Sequence, residues 1–172
     1  MTLPAHPIPN SYWVVPGRFL AGGYPGDLSA DVAQEKLRQL LSAGVSFFLD
    51  LTEPDELKPY EPFLPEVAAG QSIVHRRMPI RDFSVPTIEE MTAILDTIDA
   101  ALAAGHGLYL HCWGGSGRTG TVVGCYLARQ GMSGEDALEE IGRLRQGVSS
   151  LRRSPETETQ REMVRTWPPQ DF

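Results

Sequence analysis

The 172-residue chain carries 22 acidic residues against 15 Lys and Arg, a formal net charge of −7, with 41% hydrophobic residues. That length supports one good core and hence a single domain, and a broad negative field disfavours a protein that coats nucleic acid or an anionic membrane. The opening MTLPAHPIPN has no basic stretch and no apolar run of signal-peptide length, no later run approaches the ~18 apolar residues of a membrane span, and two cysteines outside any disulfide-rich spacing suit a reducing compartment, so the expected location is the cytoplasm.

Residues 1–11 read as an irregular, Pro-rich arm, 12–167 as the folded domain and 168–172 as a short tail. Tyr12–Val15 and Arg18–Ala21 flank Pro16-Gly17 as a hairpin. From Ser29 to Ala43, Val32, Ala33, Leu37, Leu40 and Leu41 recur at helical spacing, and Gly44 supplies the stop. VSFFLDL (45–51) reads as a buried strand, the acid- and proline-rich stretch 52–66 as a surface loop with a helical turn, and Ser72–Met78 as the next strand. Thr87 and Glu90 form a capping box ahead of a helix whose apolar face is Ile88, Met91, Ile94, Leu95, Ile98 and Leu102, ending at Gly105. LYLH (108–111) is a short buried strand. After it, RTGTVVGCYLARQG and SGEDALEEIGRLRQG each read as a helix closed by glycine. Ser154-Pro155 reads as the cap and first residue of a final helix reaching about Trp167. Strands alternating with helices predict an α/β fold with a central, mostly parallel sheet flanked by helices on both faces.

The segment HCWGGSGRTG (111–120) fits two phosphate-binding patterns. Gly115, Gly117 and Gly120 spell the dinucleotide fingerprint G-x-G-x-x-G. Against it, Glu139 and Glu140, the acids at the required distance, lie inside a helical pattern instead of ending a strand, and no second strand remains to complete a dinucleotide unit. The second pattern uses every residue: Cys112 at a strand end and Arg118 at a helix start enclose a loop whose glycines let successive N–H groups turn inward. Arg118 can fork two oxygens of a tetrahedral anion, with the helix N-terminus adding its positive end. A helix N-terminus contributes at most ~2 kcal/mol and a charge-assisted hydrogen bond roughly 1.5–3 kcal/mol. Together with the Thr119 hydroxyl these suffice for a thiolate nucleophile at neutral pH, so neither metal nor cofactor is expected.

This loop resembles the signature of the cysteine-dependent protein tyrosine phosphatases, His-Cys-five residues-Arg-Ser/Thr-Gly, and is most similar to the dual-specificity branch of the kinase-associated type, in which an aromatic residue and two glycines follow the cysteine. The resemblance covers roughly residues 12–167 and is weak in the first half. It implies the tyrosine-phosphatase-like fold and hydrolysis of phosphate monoesters through a phosphocysteine. It implies Cys112 as nucleophile, Arg118 as phosphate clamp, Thr119 as thiolate stabiliser, and Trp113, Gly114, Gly115, Ser116 and Gly117 as the phosphate cradle, with Ser116 and Gly117 lending backbone donors. It puts a general acid about thirty residues before the cysteine, where PIRDFSVPT offers Asp82; Asp50 is the rival. Gln160 resembles a glutamine that orients the hydrolytic water, a solvent-facing helical position being the alternative.

His111 is expected to fix the loop by hydrogen bonds, Cys125 to be a core thiol, and His6, His75 and His106 show no metal-ligand spacing. Arg76, Arg77, Arg81, Arg152 and Arg153 are candidates for guiding an anion inward. The expected partner is a phosphorylated protein or a small phosphoester, with tyrosine and dual specificity first, since no Tyr-bearing segment deepens the pocket. Phosphoinositides or inositol phosphates are the alternative, disfavoured by the absence of basic residues in WGGSG. A non-catalytic phosphate-binding module and an arsenate reductase are the other classes, the latter lacking a well-placed second cysteine.

Overall fold

The computed structural model describes residues 5–168. Five short strands, β1 (Ser11–Val15), β2 (Phe19–Gly22), β3 (Val45–Asp50), β4 (Val74–Arg77) and β5 (Gly107–His111), form one sheet in the order β1-β2-β5-β3-β4. The β1–β2 hairpin is antiparallel and every other pairing is parallel. Because side chains alternate along a strand, Phe47, Leu49, Leu108 and Leu110 enter one core while Phe48 and Tyr109 enter the other. Both faces are therefore apolar, as a parallel sheet covered on two sides requires. Helices α1 (Ala30–Ser42) and α2 (Leu64–Ala68) cover the second core through Leu37, Leu40 and Leu64. Helices α3 (Ile88–Ala103), α4 (Arg118–Arg129), α5 (Gly134–Leu144) and α6 (Glu158–Arg165) cover the first. No helix among the described residues is long and apolar enough to cross a membrane.

The Thr87 capping box forms as its sequence predicts, and Ser29 and Ser133 also cap their helices, each side chain accepting an N–H from the first turn. Residues 6–10 are irregular but packed, with Ile8 buried in the second core, and of the expected tail 168–172 only Pro168 lies within the described residues. Three expectations need correction. The final helix starts at Glu158, not at Ser154-Pro155, and ends at Arg165: Thr157 and Gln160 form a complete capping box, whereas the Ser154 hydroxyl is drawn away to the carbonyl of Ser116. The strand expected over Ser72–Met78 is confined to Val74–Arg77. The stretch 52–66 is not simply a surface loop, because Thr52 and Tyr60 are wholly buried.

Helix α4 is buried along almost its whole length, and at Gly124 it meets α6 so closely that a Cβ would lie 2.5 Å from a Val164 methyl. Replacing an interior helical glycine by alanine favours the helix by about 1 kcal/mol, while overpacking a rigid core costs about 1–3 kcal/mol; Val164 is β-branched and fully buried, so it cannot rotate aside cheaply. Gly124→Ala should thus lower stability by about 1 kcal/mol in urea denaturation, and the added Val164→Ala should cost less in that background than in wild type. A neutral or stabilised Gly124→Ala would show that α4 and α6 separate freely.

Candidate active site

The parallel strands end on one edge of the sheet, and the loop after β5 leaves it there, which is where open α/β sheets bind ligands. Five carbonyls of this loop are tied outward. Cys112 O faces His111 Nδ1 at 3.2 Å, Trp113 O accepts from Tyr24 N at 2.9 Å, and Gly114 O accepts from Asn10 Nδ2 at 2.8 Å. Ser116 O accepts from Ser154 Oγ at 2.6 Å and Gly117 O from Thr121 Oγ1 at 2.8 Å. A trans peptide points its N–H opposite to its C=O, so the amides of Trp113, Gly114, Gly115, Gly117 and Arg118 face the other side, that of the cleft. Gly115 holds φ +77°, and a Cβ there would lie 2.7 Å from the backbone of Gly22 and of Gly23. Glycine is needed for both the conformation and the close approach.

Cys112 is 3% exposed, and its Sγ accepts a hydrogen bond from Thr119 Oγ1 at 3.0 Å. Arg118 is buried beside it. Glu56 grips the guanidinium with both oxygens, Oε1 to Nη1 at 2.8 Å and Oε2 to Nη2 at 2.7 Å, and Nη1 also donates to Ile80 O at 2.9 Å. Burial opposes the positive charge, but Glu56 and the nearby Cys112 and Asp82 outweigh it and hold Arg118 more firmly protonated than usual. Nε makes no hydrogen bond within the described residues, so the Nε and Nη2 edge remains for a bidentate acceptor.

Asp82 lies 3.5 Å from Arg118 Nη2, on a turn where Phe83 adopts φ +62° and donates its N–H to Asp82 Oδ1. Asp82, Phe83, Cys112, Trp113, Gly117 and Arg152 all border one cleft of about 310 Å³. Of the five arginines considered as guides only Arg152 lines it; Arg77 is paired with Asp50 and Glu61, Arg153 with Glu158, and Arg76 lies over the Phe47 ring. Gln160 is wholly buried, contrary to a solvent-facing position. Its Oε1 accepts from the N–H groups of Glu156 and Thr157, its Nε2 donates to Ser84 O, and it packs against Gly117. Ser116 offers more than backbone, since its hydroxyl accepts from Arg145 Nη2 at 3.0 Å. Cys125 is buried in the first core and burial pushes its thiol pKa up.

A sequence model for the family described as Tc-R-P, "Polymorphic toxin system, DSP-PTPase phosphatase", matches residues 23–132. The chain belongs to this phosphatase family. It is 33% identical over 121 residues, 66% of its length, to protein 067L of Invertebrate iridescent virus 3, whose given name assigns it provisionally to the tyrosine phosphatases. It is 30% identical over 126 residues, 71% of its length, to PTEN1 of Arabidopsis thaliana, named as a phosphatidylinositol 3,4,5-trisphosphate 3-phosphatase and protein-tyrosine-phosphatase. The aligned parts make up 44% and 29% of those proteins, so the chain spans less than half their length. Among solved structures, Tk-PTP in its active form matches with a TM-score of 0.69 at 27% identity over 91% of this chain and 94% of that one. Kinase associated phosphatase, with serine at its catalytic-site cysteine, matches with a TM-score of 0.71 over 91% of each chain; at 22% identity it bears on the fold alone.

Behind the phosphatase loop, His111 is sealed from solvent, with Nδ1 against Cys112 O and Nε2 2.6 Å from Tyr60 Oη. A carbonyl can only accept, so Nδ1 carries the proton and Nε2 accepts from Tyr60. Burial lowers the His111 pKa to about 4, against the pull of Asp50 toward the charged form. Asp50 is buried deeper in this network, not in the cleft. Burial opposes its ionisation, but bonds from His75 and Thr52 and the field of His111 hold its pKa far below the usual range. Asp50, Glu61 and His75 bring one donor atom each within 4.8 Å of one another, a clustering that spacing could not reveal because three separate elements supply them. Arg77 Nη2 already sits between its two carboxylates, 3.3 Å from Asp50 and 3.5 Å from Glu61. Glu56, Tyr60, Asn10 and Ser154 escaped sequence reasoning; an acid in EPDEL carries no local sign that it will meet an arginine 62 residues on.

Two outcomes follow. A histidine whose folded pKa is depressed stabilises the fold fully above its unfolded pKa of about 6.5 and loses that contribution as pH falls toward the folded value. With His111 at about 4, urea denaturation should show roughly 2 kcal/mol lost between pH 7 and pH 5, above the range of most carboxylates, and His111→Asn should flatten that slope; an equal slope in the variant would remove His111 as its source. Glu56→Ala should weaken tungstate binding by roughly 10–100-fold in calorimetry, because the guanidinium loses its fixed plane; unchanged affinity would mean that the carbonyls of Ile80 and Leu51 and the nearby Asp82 suffice to orient Arg118.

Proposed function

We propose that the chain hydrolyses phosphate monoesters through a phosphocysteine intermediate, with phosphotyrosine-bearing proteins as the first substrate class and phosphoserine or phosphothreonine also admitted. The single observation that carries this reading is that Cys112, whose Sγ is hydrogen-bonded to Thr119, and Asp82 border one cleft, with the Arg118 guanidinium, fixed by Glu56, 3.5 Å from Asp82. The phosphate oxygens sit on the inward amides and on Arg118. Cys112, as thiolate, attacks phosphorus; the bond from phosphorus to the leaving oxygen breaks, and Asp82 passes its proton to that oxygen. Water then attacks the phosphocysteine, Asp82 takes a proton from it, and the sulfur–phosphorus bond breaks to release inorganic phosphate and the thiolate. Gln160 acts first as a brace between the acid turn at Ser84 and Gly117; with Oε1 doubly engaged, it has one Nε2 hydrogen left for the water.

Phe83 and Trp113, 55% and 57% exposed and both lining the cleft, suit an aryl leaving group that stacks as it is held. The names of the relatives span protein and lipid phosphatases, and the lack of a basic side chain in WGGSG favours the protein side.

The test is phosphate release from para-nitrophenyl phosphate in the presence of chelator. Wild type should turn over, Cys112→Ser should not, and Asp82→Asn should lose about 10²–10⁴-fold in kcat. A serine variant as active as wild type would end the thiolate mechanism.

A further inference from the structure

A second cavity, of about 540 Å³, adjoins the catalytic cleft, with Asn10, Trp113 and Ser149 bordering both. Its far wall is the turn after β2, where Leu28 is 86% exposed, and the segment Leu57–Lys58. The chain has only two lysines, Lys36 and Lys58, and both line this cavity. Lys36 Nζ donates to Gly26 O at 3.3 Å and faces Asp27 at 3.6 Å; Lys58 Nζ donates to Leu28 O at 3.1 Å. An ammonium has three donors, so each retains capacity for an external acceptor. Two cations against the one carboxylate, Asp27, leave a formal +1 here in a chain of net charge −7.

We propose that this cavity is a flanking-residue subsite, which takes an apolar side chain near the phosphoresidue of a phosphoprotein against Leu28 and Leu57, with a carboxylate of the same segment at Lys36 and Lys58. The proposal rests on the phosphatase reading of the adjoining cleft. Continuity through Trp113 and Asn10 lets one extended segment reach both cavities. The charge decides between peptide and lipid: a local excess of +1 matches one carboxylate, whereas each further phosphate of a phosphoinositide brings about −1.5 to −2.

The experiment compares kcat/KM for para-nitrophenyl phosphate with that for phosphotyrosine peptides in which a Leu-Glu pair is moved through the positions on either side, using wild type, Leu28→Asp and Lys58→Glu. One flanking register should be preferred by about tenfold, the scale of one apolar side chain in a pocket. Both variants should abolish that preference through KM while turnover of the aryl phosphate stays within about twofold. A flat scan, or a preference that survives both variants, overturns the proposal. So does a variant-sensitive preference for short-chain phosphoinositides over the peptides, which would make the cavity a lipid site. Anisotropy of the same peptides, fluorescein-labelled, on Cys112→Ser reads the register without chemistry, so a wild type inactive on every phosphoester sinks the phosphatase reading while the subsite is judged separately.

Discussion

Arg118 is 1% exposed, and burying a lone charge to that degree costs several kcal/mol. The bidentate Glu56 pair, with a third donor on Ile80 O, offsets that cost and so dictates where the acidic stretch must lie. Once Glu56 is fixed beyond the end of β3, Tyr60 is drawn inward to Nε2 of His111. One stretch of chain thus restrains both ends of the phosphate loop, the arginine at its exit and the histidine before its cysteine. The proline and acid content that makes 52–66 look solvent-loving serves a charged partner in the interior.

The loop itself is an exercise in backbone satisfaction. Each of its five outward carbonyls has a donor; His111 and Thr121 supply two, and the other three come from the arm before β1, the turn after β2, and the segment ahead of α6. Sequence-distant pieces therefore converge on the loop because unpaired buried carbonyls are costly, and the close packing of Gly115 on Gly22 and Gly23 is what lets them reach.

This explains which parts were legible in advance. The α/β alternation, the Thr87 capping box and the loop from Cys112 to Arg118 are local patterns, in which period, cap and spacing lie within one turn or one loop. Glu56, Tyr60, Asn10 and Ser154 act through contacts spanning 38 to 104 residues, and nothing beside them in the chain announces a partner. The start of the last helix was misread for a related reason. Ser154-Pro155 and Thr157-x-x-Gln160 are both valid start signals, and tertiary demand decided between them by giving the Ser154 hydroxyl to Ser116.

The formal charges around Arg118 limit how such a site could hold an anion. Arg118 and Glu56 cancel, and Asp82 lies 3.5 Å from the same guanidinium, so the immediate cup carries no excess positive charge before an anion arrives. Attraction for a phosphate therefore cannot come from net charge, and the chain's own −7 is screened beyond about 8 Å at physiological salt. It comes from oriented donors: the inward amides, the N-terminus of α4, and the one guanidinium edge that Glu56 leaves in a fixed plane. Donors held in place before binding need no reorganisation in the transition state. A site built this way would favour a tetrahedral acceptor through the placement of its donors, which is the discrimination that the proposed hydrolysis of a phosphate monoester requires among the many carboxylates of a protein surface.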